Sequence, residues 1–289
     1  MNPYEKLLSE AEGRPFAAIV GWPVDHSRSP KIHGYWLKKY QVDGSYEKQP
    51  VRPGDVATFL GDMRKQGLVG CNVTIPHKEA AFAAAAVVMP AARAVAAANT
   101  LWFEDNRLVA DNTDAAGFMS HLRASVPDFD ARRSAIAVLG AGGAARGIVY
   151  AFLDAGAPEV RIFNRTRERA DAVARHFGPR VTACEWGERV DRSCEVGVLV
   201  NATSLGMAHM APLDMPLAQL DEGCIVADLV YVPLLTPLLR AARARDLPAV
   251  DGLGMLLHQA VPGFEKWFGK RPEVTDELRA LLVADIEAH

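Results

Sequence analysis

The 289 residues carry 32 Lys and Arg against 35 Asp and Glu, a net charge of −3, and 49% of them are hydrophobic. Such a chain buries a sizeable core in about two domains and is not intrinsically disordered. It has no cationic stripe for nucleic acid, and its longest apolar stretch, residues 80–92, contains Pro90 and falls short of the roughly 20 residues that span a bilayer.

Glu5, Lys6, Glu10 and Glu12 precede any apolar run, so no export signal is read. Cys71, Cys184, Cys194 and Cys224 share no C-x-x-C spacing and adjoin no His cluster. Zinc is therefore not expected, nor any other metal, and the cysteines read as buried thiols of a reducing, cytoplasmic compartment.

Residues 16–20 form an apolar run closed by Gly21, which predicts a strand. Ser29-Pro30 predicts a helix start, with Ser29 as N-cap and Pro30 at the first helical position. Ile32, Tyr35, Trp36 and Tyr40 fall on one face of that helix. Strands are predicted around Tyr46 and over 71–75, 100–103 and 108–110, with helices over 55–66 and 77–88. Alternation of this kind implies helices packed on a sheet, an α/β fold.

A second unit begins near Ser134. A buried-strand pattern over 135–139 leads into Gly140-Ala141-Gly142-Gly143-Ala144-Ala145-Arg146-Gly147 and a helix to about Asp154. Further strands are predicted over 160–163, 198–200 and 225–230. Asp251-Gly252-Leu253-Gly254 reads as punctuation, after which a helix resumes over 255–268.

The spacing Gly140-x-Gly142-x-x-Ala145, between a strand and a helix, is a dinucleotide-binding pattern. The first Gly permits the tight turn, the second admits a pyrophosphate to the backbone, and the small third residue lets helix and strand pack closely. After the next strand the acid that would hold a ribose 2′-hydroxyl is missing. Asn164-Arg165-Thr166 stands there, followed by Arg167 and Arg169. Cations at a helix start are electrostatically unhelpful unless an anion sits there, so the pattern favours the 2′-phosphate of NADP.

Polar clusters punctuate the first unit: His26-Ser27-Arg28-Ser29-Pro30, Asn72-Val73-Thr74-Ile75-Pro76-His77-Lys78, Asn99-Thr100 and Asp111-Asn112-Thr113-Asp114. Singly, each has an ordinary explanation as a cap, a turn or a solvated charge. Together at strand ends they supply the hydroxyl, amide, ammonium and carboxylate groups that a polyhydroxylated small molecule needs.

These segments resemble the shikimate dehydrogenase family over almost the whole length. The resemblance continues through Asn201-Ala202-Thr203-Ser204-Leu205-Gly206-Met207, Asp228-Leu229-Val230-Tyr231 and Gly252-Leu253-Gly254-Met255-Leu256-Leu257-His258-Gln259-Ala260. It implies two α/β domains with a cleft between them. A substrate-binding domain would comprise residues 1–114 and 254–289, and an inserted Rossmann NADP-binding domain residues 115–253. The chain would cross between them near residues 114–120 and 251–254.

By the same resemblance Ser27 and Ser29 bind the substrate carboxylate, and Thr74, Asn99, Asp114 and Gln259 its ring hydroxyls. Tyr231 lies at the cleft, and Lys78 with Asp114 forms the catalytic pair. Gly140, Ala141, Gly142, Gly143, Ala144, Asn164, Arg165, Thr166, Arg169, Thr203, Ser204, Gly252 and Met255 line the cofactor. The implied reaction is reversible NADP-dependent oxidation of shikimate to 3-dehydroshikimate, by a monomer or homodimer acting without nucleic acid or membrane. A quinate/shikimate paralogue with looser substrate or NAD use is the nearest alternative, and a non-catalytic NADP-binding sensor is one of another class. Gly34, where the family often has Asn after His33, and Ala115, where Gly often follows the Asp, depart from the common pattern.

Overall fold

The computed structural model describes residues 14–288, so Glu5, Lys6, Glu10 and Glu12 lie outside the described residues. Contacts divide the chain into two units: one takes residues up to Thr113 together with Gln259–Leu282, the other Asp114–His258 and the chain from Val283. Both are α/β.

The sheet of the first unit comprises β1 (Phe16–Gly21), β2 (Ser45–Pro50), β3 (Leu68–Val73), β4 (Val87–Val88), β5 (Thr100–Glu104) and β6 (Arg107–Asp111), in the order β2-β1-β3-β5-β6-β4. β1 is buried along its whole length, as expected of a strand with parallel neighbours on both sides and both faces covered. β5 runs antiparallel to β3 and β6. Helices α1 (Ser29–Lys39), α2 (Val56–Asp62), α3 (Lys78–Ala84) and α4 (Pro90–Val95) lie between the strands in sequence.

Two expectations fail here for local reasons. The helix predicted over 77–88 stops at Ala84, because Val87 and Val88 pair with β6 while Ala86 and Met89 donate to the carbonyls of Leu108 and Ala110. Pro90 disfavours helical geometry at Met89 and opens α4 instead. The helix predicted over 55–66 is shorter too, a 3-10 turn over Pro53–Asp55 followed by α2.

In the second unit β7 (Ala135–Leu139), β8 (Val160–Asn164), β9 (Val181–Glu185), β10 (Val196–Asn201), β11 (Ile225–Asp228) and β12 (Ala249–Val250) form an all-parallel sheet ordered β12-β11-β10-β7-β8-β9. This is the doubly wound order in which direction reverses between the first and fourth strands, here β7 and β10. Its helices are α5 (Asp114–Ser125), α6 (Gly143–Asp154), α7 (Arg167–Phe177) and α8 (Pro237–Arg243). Ile136, Val138, Ile148 and Phe152 pack with Phe118 and Leu122 of α5 into one core cluster. The C-terminal part of the chain is helical, with α9 (Gly252–Phe268) and α10 (Asp276–Glu287).

α9 starts three residues earlier than the reading of 251–254 as punctuation implies. Its two first-turn glycines serve close packing rather than a turn. A Cβ on Gly252 would collide with the Leu229 carbonyl, and one on Gly254 with the His121 ring. Asp251 caps the helix, its Oδ1 accepting from the backbone N–H of Leu253 at 3.0 Å and of Gly254 at 3.3 Å.

Cys71, Cys184 and Cys224 are buried free thiols, whereas Cys194 is only half-buried. Among the described residues no helix is long and apolar enough to cross a membrane, and no group of three His, Cys, Asp or Glu is placed to hold a metal ion. Gly34 is exposed and a Cβ there would meet nothing within 4 Å, so the position accepts Asn or Gly without a packing cost.

Candidate active site

Register gathers the polar segments of the first unit at one sheet edge. Ile19 pairs with Asn72, Asn72 with Thr100, and Thr100 with Asp111. β1, β3 and β6 therefore end at the edge where β5 begins. The segments carrying Ser27 and Ser29, Thr74 and Lys78, Asn99, and Asn112 with Thr113 all leave the sheet there.

Ser29 is the first residue of α1, not its N-cap; the cap position is Arg28 and no side chain bonds there. Pro30 offers no N–H, and the Ser29 N–H, which has no intrahelical acceptor, is received by the Ser27 hydroxyl at 3.3 Å. The two serines are thus joined, Ser29 buried and Ser27 half-buried.

Thr74 packs its methyl against Gly21, where a Cβ would leave no room, and its N–H bonds to the Val20 carbonyl at 2.9 Å. Lys78 opens α3, its carbonyl accepting from Ala98 N–H at 2.9 Å. The buried ring of His77 stands 2.6 Å from the Val51 carbonyl. Lys78 is therefore mounted on backbone tied to two neighbouring segments.

Asn99 is buried with its amide orientation set by its partners. Its Oδ1 accepts from Thr113 N–H at 2.8 Å, Thr100 Oγ1 at 2.9 Å and Thr113 Oγ1 at 3.1 Å. That saturates the oxygen and leaves Nδ2 as the outward donor, 3.5 Å from Gln259 Oε1. Beneath it Asn72 Nδ2 reaches the Asn99 carbonyl and Thr100 Oγ1, both at 3.2 Å, while its Oδ1 accepts from Tyr46 O–H at 2.7 Å. Burial pushes the Tyr46 phenol well above its ordinary range, so it remains a donor. Asn72 belongs to a motif visible in the sequence; nothing local marks Tyr46 as its partner. His33 stacks on Tyr46 with ring centroids 3.9 Å apart, and burial lowers its pKa to about 3, which keeps it neutral.

Asp114 follows Thr113 and opens α5, where a carboxylate suits the helix N-terminus. By contacts Lys78 belongs to the first unit and Asp114 to the second.

In the second unit the glycine turn lies at the point where strand order reverses. Gly140 has φ +103°, a conformation that favours glycine, and a Cβ there would lie 3.0 Å from the Ala202 carbonyl. Ala202 N–H in turn bonds to the Leu139 carbonyl at 2.8 Å, setting residues 201–204 beside the turn. At Gly142 and Gly143 a Cβ would meet nothing within 4 Å, and no side chain caps α6. Ala141 is half-buried and Ala144 exposed.

Beyond β8, Asn164 Nδ2 bonds to the Thr166 carbonyl at 2.8 Å and shapes the turn carrying Arg165. Arg167 is taken up by Asp171 at 3.0 Å and Glu185 at 2.9 Å. Arg165 and Arg169 are exposed and make no ion pair among the described residues. An open glycine turn at a helix start with two such cations fits a dinucleotide bearing a 2′-phosphate.

The loops after β10 and β11 are knitted by a network that sequence reading missed. Asn201 Oδ1 accepts from Thr203 N–H at 3.0 Å and Thr203 Oγ1 at 2.7 Å. Asn201 Nδ2 donates to Asp228 Oδ1 at 2.9 Å, an oxygen that also accepts from Val230 N–H at 3.0 Å. Thr236 Oγ1 donates to Asp228 Oδ2 at 2.7 Å. Ser204 is exposed, whereas Tyr231 and Met255 are half-buried, Met255 packing against the unit's core.

Asp228 is 1% exposed, and burial raises its pKa from 3.8 to about 6 despite its three donors. Between those two values the folded state holds a proton that the unfolded state releases. The residue's contribution to stability therefore grows as pH falls from about 6 to 4. The neutral variant Asp228→Asn lacks this dependence. Its stability relative to the unaltered protein should drop by up to about 3 kcal/mol between pH 7 and pH 4, measured by urea unfolding. A pH-independent difference would contradict the assignment.

Comparison with known proteins covers nearly the whole chain. Residues 19–101 match the family described as the shikimate dehydrogenase substrate binding domain. Residues 123–211 match shikimate / quinate 5-dehydrogenase, and 252–282 the shikimate 5'-dehydrogenase C-terminal domain. A protein of Azorhizobium caulinodans named shikimate dehydrogenase (NADP(+)) is 53% identical over 271 residues, 94% of this chain and 96% of that protein. The Thermus thermophilus shikimate 5-dehydrogenase, solved with NADP(H) and shikimate, superposes with TM-score 0.82 at 34% identity, covering 94% of this chain and 99% of that one. Quinate dehydrogenase of Corynebacterium glutamicum, solved with NAD, gives TM-score 0.86 at 26% identity, covering 94% and 99%.

Proposed function

This chain belongs to the shikimate dehydrogenase family, and on that premise we propose that it catalyses the reversible NADP-dependent oxidation of shikimate to 3-dehydroshikimate. The observation that carries the cofactor assignment is the pair of unpaired, exposed arginines, Arg165 and Arg169, where an NAD enzyme would place an acid. In this reading residues 1–114 with 254–289 form the substrate-binding domain and 115–253 the NADP-binding domain. The protein acts in the cytoplasm as a monomer or homodimer.

Bound NADP supplies the hydride acceptor for oxidation and, reduced, the donor for the reverse. The chain's own residues manage the proton and the orientation. Lys78 in its neutral form takes the proton of the reacting hydroxyl as the ring carbonyl forms. In the opposite direction its ammonium returns that proton and stabilises the oxyanion. Asp114 orients Lys78 and holds the adjacent hydroxyl. Thr74, Asn99 and Gln259 hold the remaining ring hydroxyls. The saturated Oδ1 of Asn99 means that it presents its amide as a donor. Tyr231 borders the substrate. Gly140, Ala141, Gly142, Gly143 and Ala144 would receive the pyrophosphate, and Asn164, Arg165, Thr166 and Arg169 the adenosine 2′-phosphate. Thr203, Ser204, Gly252 and Met255 would lie along the nicotinamide end.

Ser27 and Ser29 hold the carboxylate through their hydroxyls at the start of α1. Changing both to Ala should raise the KM for shikimate about tenfold or more and leave NADP affinity nearly intact. The variant loses the Ser27 bond to the Ser29 N–H, so its folding is checked by circular dichroism before KM is read. An unaltered KM would remove the serines from the site. The reaction itself is checked by incubating the purified protein with shikimate and NADP. NADPH absorbance should rise in step with 3-dehydroshikimate identified by mass spectrometry. Absence of both would overturn the proposal.

A further inference from the structure

We propose that Asp228 is a positioning residue for cofactor binding, a buried carboxylate that holds the loops after β10 and β11 in the arrangement that NADP requires. The proposal rests on the reading of this protein as an NADP-dependent dehydrogenase.

Three segments meet around this one side chain. Through Asn201 Nδ2 at 2.9 Å it fixes the amide whose Oδ1 receives both the N–H and the hydroxyl of Thr203. Asn201 Nδ2 also reaches the Leu205 carbonyl at 3.1 Å, and Leu205 N–H returns a bond to Thr203 Oγ1 at 3.1 Å. The loop containing Thr203 and Ser204 is thereby closed on itself and anchored to β11. Through Val230 N–H at 3.0 Å the same carboxylate sets the chain direction immediately before Tyr231. Through Thr236 Oγ1 at 2.7 Å it reaches the start of α8, where that hydroxyl also accepts from Leu239 N–H at 3.3 Å. The start of α9 packs on the backbone beside it, since a Cβ on Gly252 would collide with the Leu229 carbonyl and lie 3.1 Å from the Asp228 carbonyl.

Asp228 itself is 1% exposed and forms no ion pair among the described residues. A carboxylate is costly to bury, and a Thr or Ser at this position would have fewer acceptor sites for three donors converging from different directions. Its three bonds fix residues on both sides of the loops proposed to line the nicotinamide end, so losing them should loosen the cofactor site more than the rest of the fold. A staple of the fold alone would lower stability and leave the affinity of the folded fraction unchanged.

The test uses the full chain with Asp228→Ala, Asp228→Asn and Asn201→Ala, reading NADP affinity by calorimetry beside steady-state kinetics. Asp228→Ala should weaken NADP about tenfold, a larger change than in the KM for shikimate at saturating NADP. Asp228→Asn keeps Oδ1 as acceptor for Asn201 and Val230 and offers an N–H to Thr236 Oγ1. It should restore NADP affinity to within about threefold of the unaltered protein. Should Asp228→Ala not fold, Asn201→Ala cuts the links from Asp228 to the loop of Thr203 and Leu205, leaves those to Val230 and Thr236, and should weaken NADP about fivefold. A folded Asp228→Ala or Asn201→Ala protein that binds NADP within about twofold of the unaltered one would overturn the role. Failure of the unaltered protein to bind NADP would overturn the functional reading and this role with it, whereas normal binding by both it and the variants removes the role alone.

Discussion

Lys78→Ala should lower kcat for shikimate oxidation by about 10²–10⁴-fold, the usual contribution of a positioned acid–base group, with a much smaller change in KM. The expectation follows from the mount. Lys78 is the first residue of α3, with its carbonyl bonded to Ala98 N–H, and it follows His77, whose ring is held at the Val51 carbonyl. Truncating the side chain leaves those backbone bonds intact, so the loss should appear in chemistry rather than folding. Asp114→Ala should impair both kcat and KM, since in the proposed mechanism it holds a substrate hydroxyl and also pairs with Lys78. The double variant should be little worse than the worse single one, because groups acting as a unit are not additive. Lys78→Arg discriminates further: retained turnover would mean that only the charge matters. Near-normal kcat in Lys78→Ala with normal shikimate binding would end the assignment.

The second large effect is on cofactor choice. Arg165→Ala should weaken NADP by about 1.5–3 kcal/mol, the loss of a charge-assisted hydrogen bond, and leave NAD nearly unaffected. Arg165 and Arg169 share the turn and first helical residues after β8, whereas Arg167 between them is committed to Asp171 and Glu185. Arg167→Ala therefore serves as the control, changing local charge equally with little effect on the NADP-to-NAD ratio. Equal losses for both cofactors in Arg165→Ala would remove it from the 2′-phosphate site.

The parts legible in the sequence were those whose signal is local. β7 is read at its true limits, because a central strand buried on both faces is an unbroken apolar run ending in glycine. The glycine turn after it follows from backbone sterics at Gly140. What escaped depends on partners far along the chain. β4 and β12 have two residues each, too short for any period, and exist because β6 and β11 offer edges. The glycines of α9 resembled a turn because what they pack against, Leu229 and His121, is distant in sequence. Ser29 resembled an N-cap because its residue type suits that role, yet the backbone places it one position inside the helix. Polar residues at strand ends were visible as types. Their gathering at one sheet edge needed the register of β1, β3, β5 and β6. The Asp228 network joins Asn201, Val230 and Thr236; both segments were visible as motifs, but the bond between Asn201 and Asp228, 27 residues apart, had no local signal.

The central claim is that this site oxidises shikimate with NADP, and kcat/KM for shikimate and quinate, each with NADP and NAD, tests it most directly. The account predicts that the shikimate–NADP pair exceeds each of the other three by about an order of magnitude or more, since Arg165 and Arg169 select the 2′-phosphate and the hydroxyl contacts select the ring. Equal or higher kcat/KM with quinate or with NAD would contradict it.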